Sequence, residues 1–272
     1  MPAPETILHT RAEDRALLNA AVREAGRIAM TYYQTELKTW LKGGDDIVTE
    51  ADIAVNDQLQ KSLAVARPAY GWLSEESKDD ARRLTCHRVW VVDPIDGTRA
   101  FAKGRPHFTI SVALVEAGRP VLAALFNPAT DEFFESETGA GALLNGRPIA
   151  VGKRSVIEGA RMAAFAPMFK HPAWPAPWPE MDIIERNSVA YRIALVACDA
   201  ADAALALNSK NDWDLAAADL ILHEAGGRLT SHDGKLLIYN RESPRHRSLL
   251  AAGPDLYGPL FDRVGALTLP NT

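Results

Sequence analysis

Residues 90–98, Trp-Val-Val-Asp-Pro-Ile-Asp-Gly-Thr, set two carboxylates three positions apart where an apolar run breaks into a Gly-Thr turn. Asp93 follows Val91 and Val92, so a buried strand would deliver it to the end of a sheet. Pro94 has no N–H with which to continue a ladder. Asp96 comes just after that bend, and Gly97 permits backbone conformations closed to other residues. Two anionic side chains held this close repel unless a positive charge lies between them. A hard divalent cation answers that need, and magnesium suits carboxylates together with phosphate oxygens. The N–H groups of Gly97 and Thr98 would then face an anion at the start of a short helix. Metal and anion sites side by side imply phosphate chemistry. The ordinary alternative is a turn capped by two aspartates, because Asp-Pro and Asp-Gly pairs both favour turns.

The elements that must position these groups read as follows. Residues 11–34 repeat apolar positions at Leu17, Ala21, Ala25, Ile28 and Tyr32, which is helical spacing. A polar Gly-Gly-Asp-Asp break spans 43–46. Thr49 then opens a second helix, with Asp52 three residues later as in a capping box, and that helix should end near Arg67-Pro68. Strands are expected at 70–74, 88–93, 107–116, 120–127 and 131–136. Asn145-Gly146 is a hairpin turn between two further short strands. The second half predicts a strand at 160–166, a Pro/Trp-rich loop at 171–180, and strand or helix segments around 183–208. A helix from Trp213 to Glu224 closes on Ala225-Gly226-Gly227. A strand at Arg247–Ala252 and a helix at Leu256–Leu267 follow. Two units are expected: an α+β half over 1–150 with a largely antiparallel sheet, and an α/β half over 151–272.

A chain of 272 residues has ample core for this. A net charge of −5 and no dense Lys/Arg run give no support for a nucleic-acid footprint, and leave room only for a local basic patch. Cys86 and Cys198 make no CxxC pair and read as reduced thiols. Residues 1–10 carry no leader pattern, and no apolar run is long enough to span a membrane. These features predict a soluble cytoplasmic protein.

Three further segments offer carboxylates. Glu75 and Glu76 follow the apolar Tyr70-Gly-Trp-Leu73, a strand end like that of Asp93. Asp214 opens the alanine-rich helix, and Asp52 lies one turn inside the second helix. Singly, each has a plain explanation as a loop charge or a helix cap. Together, the segments Trp72-Leu-Ser-Glu-Glu-Ser77, Trp90 to Thr98, Trp213-Asp-Leu-Ala-Ala-Ala218 and Glu224-Ala-Gly-Gly227 resemble the inositol monophosphatase family, in the right order over roughly residues 40–230. The resemblance implies an α/β layered sandwich, usually a homodimer, and a magnesium-dependent, lithium-sensitive phosphomonoesterase with two or three ions per active site. It implies Glu75, Asp93, Asp96, Asp214 and the Ile95 carbonyl as metal ligands. Asp52 and Thr98 become the pair that orients the attacking water, with Glu75 also at the reacting centre. Hydrolysis is then direct, without a phosphoenzyme.

The substrate class is the less determined part. A small polyol or sugar phosphate such as inositol 1-phosphate leads. A 3′(2′),5′-bisphosphate nucleotidase is the rival within the same chemistry, and a catalytically silent regulatory binding protein is the rival outside it. Inositol-specific relatives carry a glutamate shortly before the Trp-Asp motif; Leu205 to Asp212 has none, a departure that counts against strict inositol selectivity. Asp96, Gly97, Thr98, Ser188 and Arg192 are the expected substrate contacts, Ser188 by its match to a polyol-contacting serine. Tyr191-Arg192 would suit a larger or more anionic ligand, and Arg99, Lys103, Arg105 and Lys210 would add positive charge at the mouth or simply be solvated surface. The Pro/Trp loop reads either as an aromatic wall or as a proline-braced surface loop.

Overall fold

Thr10 starts the first helix, α1 (Arg11–Tyr32), with a complete capping box: its Oγ1 accepts from Glu13 N, and the Glu13 carboxylate accepts from Thr10 N at 2.8 Å. The computed structural model describes residues 9–43, 46–172 and 174–269. Residues 1–8, which carry most of the leader expectation, and Gly44 and Asp45 of the polar break lie outside that range, as does Ala173 of the Pro/Trp loop. The buried stripe of α1 is Leu18, Ala21, Val22, Ala25 and Ala29, with Leu17, Ile28 and Tyr32 at its margin rather than its centre. Where the sequence suggested only a break, a hairpin forms from β1 (Thr39–Gly43) and β2 (Asp46–Thr49). Next, α2 (Glu50–Leu63) begins at Thr49 as expected but stops short of Arg67, which the following proline bars from helical conformation and whose guanidinium turns back to α1.

The first sheet has seven strands in sequence order: β3 (Gly71–Ser74), β4 (Arg88–Asp96), β5 (Thr109–Glu116), β6 (Arg119–Asn127), β7 (Glu132–Glu137), β8 (Ala142–Leu144) and β9 (Arg147–Ile149). Only the β3–β4 pair is parallel. A short helix, α3 (Thr98–Ala102), joins β4 to β5. Asn145 and Gly146 turn the last hairpin at φ of 50° and 75°, the backbone a two-residue loop needs. Strand β4 runs three residues further than predicted. It passes Pro94 by a shift in register between Asp93 and Asp96, so the missing N–H falls where no ladder bond is asked for.

The second half contains β10 (Arg161–Ala163), α4 (Ala166–Phe169), β11 (Asp182–Ile184), α5 (Val189–Ala197), β12 (Ala203–Ala206), β13 (Lys210–Asn211), α6 (Asp212–Glu224), β14 (Arg228–Thr230), β15 (Arg245–His246), β16 (Leu249–Ala252) and α7 (Pro254–Val264). Five of the strands form a mixed sheet in the order β11-β10-β12-β16-β14. Strand alternation then sorts the core. Trp90, Val92, Ile110 and Val112 face α1 and α2, while Val89, Val91, Ala113 and Val115 face α5 and α6. The far side of α5 and α6 meets Ala163, Ala204 and Ala251, and the outer face of that sheet meets Leu256, Leu260 and Val264 of α7. The result is an α/β layered sandwich of five layers. Alanines 216, 217 and 218 let α6 lie close between two sheets.

The Pro/Trp loop packs on the α7 side. Trp178 meets Phe169 and Trp174 edge-on at 4.9 and 5.0 Å, and the Arg263 guanidinium lies 4.5 Å over its ring. The loop is thus braced by its tryptophans. Both cysteines are free thiols, and no helix among the described residues is long and apolar enough to cross a membrane.

One buried carboxylate ties α1 to the first sheet. Asp14, fully buried, accepts from Arg67 Nε at 2.6 Å, Tyr70 OH at 2.7 Å and Arg88 Nη1 at 3.0 Å. Arg88 also reaches Glu116 at 3.0 Å. Asp14→Ala leaves Arg67 without its anion and Arg88 with Glu116 alone, and we expect a loss of about 3 kcal/mol of stability, read from the urea midpoint.

Candidate active site

The strand ends do the positioning. Ser74 pairs with Val92 in the parallel β3–β4 ladder, so Glu75 leaves β3 beside Asp93, and Glu75 N still donates to Val92 O at 3.2 Å. Across the layer, α6 starts with its own capping box, in which Asn211 N donates to Asp214 Oδ2 at 2.7 Å. That contact leaves the other Asp214 oxygen to face the cage. Carboxylate oxygens of Glu75, Asp93 and Asp214 all lie within 4.8 Å of one another. Ser111 Oγ donates to Trp213 O at 3.2 Å, fixing the first turn of α6 to β5.

Gly97 holds the turn between β4 and α3 at φ 101°, and a Cβ there would sit 2.7 Å from His107 O. Asp96 is anchored through one oxygen: Oδ2 accepts from Ser188 Oγ and from Ala190 N, both at 2.7 Å. Asp52 serves two masters. Its Oδ2 accepts from Thr49 N and Thr49 Oγ1 at 2.8 and 2.6 Å, completing the α2 capping box, while its Oδ1 accepts from Thr98 Oγ1 at 3.0 Å. The Thr98 hydroxyl has the Ile95 carbonyl at the same distance as a second acceptor.

Asp93 is the focus of the electrostatics. It is 1% exposed, and neither of its carboxylate oxygens has a hydrogen-bond partner. Burial pushes its pKa well above the usual carboxylate range, and Glu75, Asp96 and Asp214 push it further. Burial also raises Glu75 to about 8 and Asp214 to about 7, each with help from neighbouring acids. Asp52 rises to about 6, burial outweighing the hydrogen bonds from Thr49 and Thr98. Unpartnered, acceptor-only oxygens that repel one another in a closed space are what a hard divalent cation would satisfy. The donor set therefore fits magnesium.

The structure brings Glu75, Asp93 and Asp214 together, with Asp96 close enough to act on all three, and it joins Asp52 to Thr98 directly. It does not present Ser188 to a ligand. That side chain is fully buried, caps α5 and spends its hydroxyl on Asp96 and Thr109, so its visible work is to aim Asp96. Arg192 lies half-buried on α5. Three supporting contacts escaped the sequence reading. Lys42 of β1, just before the apparent polar break, donates to the Glu75 carbonyl and pairs with Glu76 at 3.1 Å. Asp212, fully buried, takes His246 Nε2 at 2.7 Å and Asn240 N at 2.6 Å, and so holds the start of α6. Ser74 Oγ donates to Asn56 at 2.7 Å beneath Glu75. Nothing in local spacing links residues 34 or 18 positions apart.

A carboxylate cage at the strand ends of a five-layer sandwich defines a class of metal-dependent proteins. The chain belongs to the inositol monophosphatase family, whose model matches residues 11–260. It is 37% identical over 232 residues to an inositol-1-monophosphatase of Rhizobium meliloti, covering 80% of this chain and 86% of that protein. It is 34% identical over 225 residues to a Nus factor SuhB of Xylella fastidiosa, covering 79% and 80%. The crystal structure of the suhB extragenic suppressor protein of Bartonella henselae superposes with a TM-score of 0.80 at 28% identity, covering 94% of this chain and all of that one.

The raised carboxyl pKa values set a pH dependence. The folded, metal-free chain keeps protons on Glu75, Asp93 and Asp214 that the unfolded chain releases near pH 4. Stability is therefore fully present below pH 4 from these groups and is lost as pH rises toward 8. Chelator-treated protein should melt lower at pH 8 than at pH 5, and magnesium should raise the melting temperature more at pH 8. Asp93→Asn should flatten that pH trend and raise the metal-free melting temperature at pH 8 by roughly 2–4 °C. Calorimetry on both proteins, with and without magnesium, checks it.

Proposed function

We propose that the chain is a magnesium-dependent phosphomonoesterase acting on a small polyol or sugar phosphate such as inositol 1-phosphate. The observation that carries this reading is the pair of buried, unpartnered Asp93 oxygens between Glu75 and Asp214. Glu75, Asp93, Asp96, Asp214 and the Ile95 carbonyl would hold two or three magnesium ions. When bound, the ions would supply positive charge to the phosphoryl and leaving oxygens and make water a better nucleophile at neutral pH. In this reading residues 1–150 carry most of the ligands, and residues 151–272 add Asp214 and the substrate contacts.

The chain's own groups then have defined tasks. The Thr98 hydroxyl, hydrogen-bonded to Asp52, orients the attacking water. Asp52, with a pKa brought to about 6, is ionised at neutral pH yet basic enough to take up a proton. Glu75, part-exposed where Asp93 is closed off, meets the same water. Gly97 and Thr98 begin α3, and the first N–H groups of a helix have no intrahelical partner, so they are available to phosphate oxygens beside Asp96. No side-chain nucleophile is needed, and hydrolysis is direct. Homodimer assembly, lithium inhibition and a cytoplasmic location are expected on the same family grounds.

A catalytically silent binding role draws support from the relatives named Nus factor SuhB. The complete carboxylate set favours catalysis, because an unused cage costs stability with nothing in return. A 3′(2′),5′-bisphosphate nucleotidase would use the same cage. Phosphate release from a panel of polyol, sugar and nucleoside phosphates with millimolar magnesium tests all three; no release from any member would leave the binding role. Thr98→Ala should lower kcat by about 100-fold with KM little changed, since an orienting hydroxyl matters most in the transition state. Steady-state kinetics on the best substrate reads that split.

A further inference from the structure

Arg192 lies on α5 one turn after Ser188, the residue that aims Asp96. Its side chain is half-buried, and burial pulls its pKa below the ordinary arginine value while the Asp96 and Glu185 charges draw it back up. Of its five N–H donors, only Nε is spent, on the Arg186 carbonyl at 2.5 Å. Among the described residues, neither Nη1 nor Nη2 has a hydrogen bond or an ion-pair contact. Neither acid whose charge acts on it, Asp96 or Glu185, makes a hydrogen bond or ion pair with it among the described residues. A half-buried guanidinium held in place through Nε, with four donors that no protein group takes and that stay open to solvent, is built for an anion.

A second cation stands with it. Arg186 is also half-buried, its Nη1 donating to the Glu185 carbonyl at 3.0 Å. Its charge and that of Arg105 add to burial in holding the His107 pKa down, so both arginines lie near that ring. The His107 carbonyl in turn accepts from Ser188 N at 3.2 Å and abuts the Gly97 turn. Arg192 thus lies within reach of the Asp96 charge and Arg186 within reach of His107, and the Arg192 Nε bond to the Arg186 carbonyl ties the two residues together at the start of α5.

We propose that Arg192 and Arg186 form a second anion subsite, so that the preferred substrate is a phosphomonoester bearing a further phosphate or carboxylate group. Planar guanidinium forks match both anions in the same way. This rests on the phosphomonoesterase reading and narrows its substrate class. The cage would take the phosphate that is cleaved; the arginines would hold the anion that stays.

The test compares matched esters with magnesium present: inositol 1-phosphate against inositol 1,4-bisphosphate, and glycerol 2-phosphate against 2-phosphoglycerate. The bisphosphate pair reads a phosphate in the subsite, and the glycerate pair a carboxylate. We expect kcat/KM at least about tenfold higher for the doubly anionic member of one or both pairs. Arg192→Gln and Arg186→Gln should each erase most of that ratio through KM, and Arg192→Lys should retain part of it. Equal kcat/KM within both pairs, or a ratio untouched by the variants, overturns the subsite. If no ester is cleaved, the phosphomonoesterase reading fails on its own, and a binding measurement still decides the subsite. Calorimetric titration of chelator-treated protein with inorganic phosphate reads the arginines alone, since the bare carboxylates repel the ligand. Affinity that Arg192→Gln weakens at least about tenfold supports the subsite, and no difference between the proteins refutes it.

Discussion

The rest of this structure is arranged around the cost of gathering acids out of water. Glu75, Asp93, Asp96 and Asp214 come from three separate elements, and each would be more stable solvated and apart. The fold overrides that preference by making each carboxylate a terminal feature of a rigid element. Glu75 follows the end of β3, Asp93 and Asp96 flank the register shift at the end of the adjacent β4, and Asp214 lies in the first turn of a helix sandwiched between two sheets. The hydrogen bonds nearby serve aim more than stability. Asp96 and Asp214 each have one oxygen tied down, which leaves the other directed by geometry. Asp93 has neither tied, and its position follows from the strand alone.

The layered architecture explains how such distant stretches meet. Strand β4 lies inside its sheet between β3 and β5, so its end is held by both neighbours. Alanine-rich α6 touches β4, β5 and β6 on one side, and its own capping box fixes the angle at which Asp214 arrives. Networks further out keep the layers in register. Asp14 joins α1 to the strands, and Arg83 reaches from the segment after β3 to Asn240 and the Arg241 carbonyl. Asn240 and His246 then hold Asp212 at the head of α6.

Much of this was readable from residue types. The capping box at Thr49, the Asn-Gly hairpin and the Trp-Asp helix start are local signals, and these survive into the fold, whereas the expected break at Pro94 became a register shift within β4. The carboxylate set was legible as a group because its spacing resembles a known family. What stayed hidden depends on long-range partners. The β1–β2 hairpin looked like a polar break because its strands are short and partly exposed. Ser188 looked like a ligand contact because sequence alone cannot say that its hydroxyl is already committed to Asp96. Arg192 was visible as a charge, but its unspent donors appear only once α5 is placed against Asp96.

Asp52 closes the α2 cap with one oxygen and receives the Thr98 hydroxyl with the other. Evolution therefore cannot discard it cheaply. A descendant that abandoned turnover for a purely architectural life would still be under selection to retain this acid for its helix. Position 93 carries no such insurance, because its carboxylate only burdens the apoprotein. Across a lineage drifting away from chemistry, the aspartate at 93 should decay first, and its survival is the sharper genetic marker of a working catalyst.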